Sequence, residues 1–219
     1  MARLARVVIP NIPHHVTQRG NRRQPVFFSD GDKREYIKIL KEETAKNEVE
    51  IWAWCLMGNH VHFVAVPASE KGLARCFGDT HKRYTRMINF REKWRGYLWQ
   101  GRFSSYPMDE PYLFAAVRYV ERNPVEAGLV QKAEDYAWSS AKAHVCGDLD
   151  PILSPSFMTE AIRNWSEYLR KPDDLQTRQL NRHIKTGRPL GDEAFVVKLE
   201  QLTGLTLRRR KPGPKILSN

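Results

Sequence analysis

The 219-residue sequence has few cysteines and no long apolar run. Its three cysteines (Cys55, Cys76 and Cys146) lie far apart and form no Cys-x-x-Cys pair, so neither a disulfide framework nor a zinc knuckle is indicated. No stretch approaches the roughly 18 consecutive apolar residues of a membrane-spanning helix. The first residues also lack the apolar segment of a signal peptide. We therefore expect a cytoplasmic protein with no membrane partner.

Two chemical motifs are absent as well. Without a Gly-x-x-x-x-Gly-Lys loop, no nucleotide cofactor is expected. A zinc hydrolase that combines His60 and His62 with His14, His15 or His81 is one alternative, but no His-Glu-x-x-His motif supports it.

Positive charge is abundant. The formal net charge of +11 favours a polyanionic partner. We predict that this partner is nucleic acid, which implies a nucleoid-associated protein.

The most informative segment is His60-Val61-His62. It follows Gly58-Asn59, a dipeptide typical of two-residue hairpin turns. Alternate residues of a strand share one face, so both imidazoles point the same way. A pair of imidazoles on a hairpin strand indicates half of a metal site, although His-x-His alone is equally compatible with ordinary strand packing.

A helix beginning after Asp109 supplies further candidates. Tyr119 and Asn123 lie one turn apart on one helix face, and we predict that the helix ends at Arg122 or Asn123 because Pro124 follows. If this helix crosses the sheet, the Asn123 amide oxygen completes a site with His60 and His62 that suits Mg²⁺ or Mn²⁺. Tyr119 would then be the nucleophile.

The order of strands and helices predicts an α+β fold in which helices pack on an antiparallel sheet. The stretch 147–155, rich in Gly, Pro and Asp, predicts a boundary between a domain at 1–147 and a C-terminal extension at 148–219. The extension is predicted to be helical over 156–170 and 191–202, with a basic tail.

Four segments in order make the chain similar to a known family. They are His15-Val16-Thr17-Gln18-Arg19-Gly20-Asn21, Met57-Gly58-Asn59-His60-Val61-His62, Leu98-Trp99-Gln100-Gly101-Arg102-Phe103 and residues 118–130. Together they resemble the REP-associated tyrosine transposases, which belong to the HUH endonucleases. The resemblance covers about residues 3–145.

The resemblance implies a ferredoxin-like sheet, with Tyr119 as nucleophile and His60, His62 and Asn123 as ligands of a divalent metal. Some relatives carry glutamine at the last position. It also implies cleavage of single-stranded DNA beside REP-type hairpins, through a 5′-phosphotyrosine intermediate, by a monomer or homodimer. The alternative is a non-catalytic protein that binds DNA hairpins and has a regulatory role.

Basic residues are predicted to contact the DNA, and Tyr97 and Trp99 are candidates for stacking on unpaired bases. The predicted contacts are Arg19, Arg22, Arg23, Lys82, Arg83, Arg86, Arg102, Arg118, Arg122, Arg208, Arg209, Arg210 and Lys211.

Overall fold

The computed structural model describes residues 7–171, Leu180 and residues 188–208. Its elements in chain order are β1 (His14–Arg19), α1 (Asp30–Asn47), β2 (Val49–Met57), β3 (His60–Pro67), α2 (Gly72–Glu92), β4 (Ser104–Pro107), α3 (Glu110–Glu126), α4 (Ala141–Cys146), α5 (Met158–Ala161), α6 (Trp165–Arg170) and α7 (Glu193–Thr203). In this part of the chain, no helix is long and apolar enough to cross a membrane.

The four strands form one sheet in the order β2-β3-β1-β4. All three strand pairings are antiparallel. With α1 between β1 and β2 and α2 between β3 and β4, this is the ferredoxin-like arrangement, so the predicted fold class is confirmed. The Gly58-Asn59 turn joins β2 to β3 and pairs Met57 with His60, as the hairpin signal predicts.

The helices cover both faces of the sheet. On one face, Val61 and Phe63 of β3 pack into a core with α1 and α2. On the other face, Val64 of β3 packs with residues of α3 and of the C-terminal segments. Because β3 alternates, His60 and His62 face α3.

The second helix layer begins with a well-capped α3. The Asp109 carboxylate accepts a hydrogen bond from the Tyr112 N–H at 3.0 Å, and Pro111 lies in the first turn, where its missing N–H costs little. The prediction that α3 ends at Arg122 or Asn123 is wrong, because the helix continues through Pro124 to Glu126. Proline removes only one hydrogen bond so near the C-terminus, and the Ala127 N–H still bonds the Asn123 carbonyl at 3.0 Å.

The prediction of one helix over 156–170 is also wrong. The helix is interrupted between α5 and α6, where the backbone of Ile162 is extended. Asn164 caps α6 by accepting a hydrogen bond from the Glu167 N–H at 2.9 Å. The final predicted helix is present as α7, which ends at Thr203 and is capped by Gly204, whose φ of 68° suits glycine.

Segments beyond the predicted boundary pack directly on the sheet. The Ser154 N–H donates to the Ile51 carbonyl at 2.7 Å, and Trp165 and Leu169 are buried in the core beneath α3. The division at residue 147 stays a prediction, and these contacts attach the first part of the extension to the same core.

Candidate active site

Two imidazoles lie side by side on the face of β3 that meets α3. The ring centroids of His60 and His62 are 5.0 Å apart, and the rings are nearly perpendicular. The Asn59 side-chain oxygen lies 2.6 Å from His60 Nδ1. This contact orients the His60 ring so that its Nε2 points away from the turn and toward α3.

Helix α3 brings the two predicted helix residues to these rings. The Tyr119 ring packs edge-on against His62, with centroids 5.4 Å apart. One turn later, Asn123 Oδ1 lies 3.4 Å from His60 Nε2. Tyr119 is half-buried, so its side chain is partly accessible to solvent. All four predicted site residues therefore meet in one place.

His15 of β1 is a third imidazole at this place. Its Nε2 lies 3.0 Å from His62 Nδ1, and the two ring planes are nearly parallel (9°) with their centroids 5.2 Å apart, so the rings meet edge to edge through these nitrogens. The His15 ring also meets the Tyr119 ring edge-on at 5.9 Å. Sequence reasoning considered His15 only as a zinc ligand, and the strand register that places it beside His62 is the missing signal.

The imidazoles are neutral at physiological pH. Burial and, to a lesser extent, the nearby Arg19 cation lower the pKa of His60 to about 4. Burial also lowers the pKa of His15 to about 4 and that of His62 well below its usual value. Neutral imidazole is the form that binds metal ions.

The donor set fits a divalent cation with open coordination positions. Cis ligand atoms around an ion at about 2.1 Å are about 3 Å apart, which is close to the 3.4 Å between His60 Nε2 and Asn123 Oδ1. Within the described residues, no group of three His, Cys, Asp or Glu side chains is arranged to hold a metal. A site here would thus consist of two imidazoles and an amide oxygen, a set suited to Mn²⁺ and compatible with Mg²⁺.

The other histidines of the zinc alternative have different roles. His14 Nε2 accepts a hydrogen bond from the Ile9 N–H at 3.2 Å. His81 Nε2 lies 3.0 Å from the Tyr36 hydroxyl, in the core on the opposite face of the sheet. Neither ring is directed at His60 and His62.

The predicted DNA contacts fall into several groups. Arg19, Arg22, Arg23 and Arg102 are exposed, and Arg19 pairs with His60 across β1 and β3. Lys82, Arg83 and Arg86 are exposed on α2, which packs on the opposite face of the sheet. There Arg83 forms ion pairs with Glu42 and Glu43 at 2.6 and 2.8 Å.

The remaining predicted contacts are engaged within the protein or lie outside the described residues. Arg118 is buried, with its guanidinium 5.5 Å from the centre of the Tyr168 ring. Arg122 donates to the Leu169 carbonyl at 2.8 Å, and Arg208 pairs with Glu200 at 2.9 Å. Arg209, Arg210 and Lys211 lie outside the described residues.

A cleft of about 600 Å³ lies beside the hairpin turn that leads to His60. Its walls carry Arg22 and Arg95 and the exposed aromatic rings of Phe28, Trp94 and Tyr97. Trp99, a predicted stacking residue, is buried in the core instead. Asn59 lies between the loop that contributes to the cleft and the imidazoles: its amide donates to the carbonyl of Arg23, next to the cleft residue Arg22, at 3.0 Å, and its oxygen lies 2.6 Å from His60 Nδ1.

Comparisons with known proteins identify a matching family and a similar fold. Residues 8–123 match the family model described as "Transposase IS200 like". A REP-associated tyrosine transposase, solved bound to a REP hairpin, shares the fold with a TM-score of 0.56 and 21% sequence identity, over 71% of this chain and 93% of that one. A putative transposase from Deinococcus radiodurans matches at a TM-score of 0.37 and 18% identity, over 55% and 97% of the two chains. No curated protein sequence matches the chain.

Proposed function

Because the chain belongs to the IS200-like transposase family, we propose that it is a metal-dependent endonuclease and strand transferase that acts on hairpin-forming single-stranded DNA. The observation that carries this proposal is the packing of the Tyr119 ring against His62, 5.4 Å away, beside the facing His60 and Asn123. The proposed nucleophile and the proposed metal donors thus lie together between β3 and α3.

In this proposal Tyr119 is the nucleophile. Its Oη attacks the scissile phosphorus, so the Oη–P bond forms while the bond from phosphorus to the 3′ oxygen breaks. The phenol proton is lost to solvent, and the 3′ oxygen leaves as a free hydroxyl after taking up a proton. The 5′-phosphotyrosine keeps the ester energy, so a 3′-OH can later attack it and rejoin DNA without ATP.

The side chains around Tyr119 prepare this step. His60, His62 and Asn123 would hold Mg²⁺ or Mn²⁺, which when bound supplies Lewis-acid polarisation of the phosphate. A phenol has an ordinary pKa near 10, so a positive environment favours its reactive form. Exposed Arg19, beside His60, adds positive charge where the phosphate would lie.

The aromatic cleft fits the unpaired part of such a substrate. Exposed rings beside arginines are the elements that bind single strands, because bases stack on the rings while cations meet the phosphates. Phe28, Trp94 and Tyr97 supply the rings, and Arg22 and Arg95 the cations. We therefore assign the cleft to unpaired bases next to the hairpin.

An end-labelled hairpin oligonucleotide with unpaired flanks, incubated with Mg²⁺ or Mn²⁺, tests the nucleophile. The protein should form a covalent adduct that survives denaturation, and Tyr119→Phe should form none. Tyr112→Phe, two turns earlier on the same helix, is the matched control and should form the adduct. An adduct with Tyr119→Phe would exclude the proposed nucleophile. Hairpin binding without any adduct, with either metal, would favour the non-catalytic alternative.

A further inference from the structure

We propose that His15 is a positioning residue that accepts a hydrogen bond from His62 and thereby fixes which nitrogen of His62 faces the metal and the substrate. The inference rests on the proposed function, because it concerns how the ligand side chain is held. Its basis is the 3.0 Å contact between His15 Nε2 and His62 Nδ1 and the near-parallel planes of the two buried rings, a geometry that suits an in-plane hydrogen bond.

The contact determines the tautomer that His62 needs. Since His62 Nδ1 is occupied by His15, Nε2 is the nitrogen left to act as a ligand. A neutral imidazole carries one proton, so a ligating Nε2 requires the proton on Nδ1. His62 Nδ1–H must then donate to His15 Nε2, which must carry a lone pair. His15 in turn holds its own proton on Nδ1.

The surroundings of His15 point to a functional role for this arrangement. Its side chain is fully buried, and its Nδ1 has no hydrogen-bond partner within the described part of the chain. A buried polar atom without a partner destabilises a fold. An apolar side chain would fill this position without that cost, so packing alone does not account for an imidazole here. An acceptor for His62 does account for it.

The same geometry separates positioning from direct ligation. His15 Nε2 is engaged by His62, and its Nδ1 is buried, so neither nitrogen is available to the ion in this arrangement. The His15 ring also contacts the Tyr119 ring at 5.9 Å. The buried His15 side chain therefore contacts both the proposed ligand and the proposed nucleophile. Loss of the residue that orients a ligating imidazole typically lowers metal affinity 10- to 100-fold.

Two substitutions at this position separate the acceptor from the ring. His15→Phe keeps a flat ring against His62 and removes the acceptor, whereas His15→Gln removes the ring and keeps an acceptor oxygen. Mn²⁺ affinity is measured by calorimetry on the full chain without DNA. We expect about tenfold or greater weakening for His15→Phe and an affinity within about threefold of the unsubstituted protein for His15→Gln. His81→Phe, which removes a buried histidine from the opposite face, should bind Mn²⁺ normally.

Nitrogen NMR of labelled histidine, recorded without metal, provides the second measurement. His62 should carry its proton on Nδ1 in the unsubstituted protein and in His15→Gln, and lose that preference in His15→Phe. The same tautomer and the same Mn²⁺ affinity in His15→Phe would overturn the proposal, as would equal loss of affinity in both variants. If the unsubstituted protein binds no Mn²⁺, the metal dependence of the proposed function fails, while the tautomer of His62 still decides the role of His15.

Discussion

The two faces of β3 put neighbouring residues to opposite uses. Val61 and Phe63 are fully buried among aromatic rings of α1 and α2, where Phe63 lies 5.1 Å from Phe77. One residue away on the other face, His60 and His62 lie against α3 beside Tyr119. The first face removes apolar surface from water, which stabilises the fold. On the second face, His60 and His62 are held as neutral imidazoles, and their presence there does not stabilise the fold in this way.

On β3, residues that stabilise the fold and residues of the candidate site alternate with the strand's period of two. Substitutions on the α1 and α2 face should change the free energy of unfolding and leave the chemistry of folded molecules intact. Substitution of His60 on the α3 face should do the reverse, whereas Val64 on the same face belongs to the core. His60 is half-buried, so its truncation leaves little cavity and should cost the fold little.

His60→Ala should have the largest effect, which should be on the rate of DNA cleavage and not on the stability of the fold. Removing one metal ligand should lower the rate of hairpin cleavage about a thousandfold or more, because Lewis-acid stabilisation of the transition state contributes several kcal/mol. Hairpin affinity, measured by fluorescence anisotropy, should persist within a few fold. Cleavage that continues at a comparable rate would contradict the assignment of His60 as a ligand.

Phe63→Ala should be the opposite case. Truncating a fully buried phenylalanine leaves a cavity and typically costs about 3–5 kcal/mol of unfolding free energy. For a chain of this size that corresponds to a fall in melting temperature on the order of 10 °C, measured by thermal denaturation. Well below the melting temperature, cleavage per folded molecule should match the unsubstituted protein. If Phe63→Ala lost cleavage activity while keeping its full stability, the two faces of β3 would not have separate roles.

Local pattern was enough to predict much of this arrangement. The Gly58-Asn59 turn predicts the hairpin of β2 and β3. Alternation along β3 then puts His60 and His62 on one face. The four-residue spacing places Tyr119 and Asn123 on one side of α3, and the structure brings both to the imidazoles. Neither prediction needed long-range information beyond the crossing of one helix over one sheet.

Other features depend on contacts between distant segments. The contact of His15 with His62 follows from the β1–β3 register, in which His15 pairs with Val64, and no local pattern encodes that pairing. Positive charge likewise did not reveal that Arg118 is buried beside Tyr168 or that Arg83 is paired with Glu42 and Glu43. The aromatic content of residues 97–99 also could not distinguish buried Trp99 from exposed Tyr97.

The smallest expected effect concerns two exposed aromatic residues, one inside the cleft and one outside it. Trp94 lines the cleft and is 49% exposed, whereas Phe90 is 89% exposed on the last turns of α2 and does not line it. Stacking of one base on an aromatic ring contributes about 1–3 kcal/mol, so Trp94→Ala should weaken binding of a hairpin with unpaired flanks about tenfold. Binding of a blunt hairpin without flanks should not change, and Phe90→Ala should bind both oligonucleotides normally.

A fluorescent base analogue in the flank makes the same comparison directly. 2-Aminopurine should be quenched when the flanked hairpin binds the Phe90→Ala protein, because the base stacks on the cleft, and should stay bright with Trp94→Ala. Tyr97 lines the same cleft and is 87% exposed, so Tyr97→Ala should disturb the fold least. It should also leave 2-aminopurine bright. Equal weakening of blunt and flanked hairpins by Trp94→Ala would assign the cleft to the duplex. Equal weakening by Phe90→Ala would show that exposure of an aromatic ring, rather than its position in the cleft, determines binding.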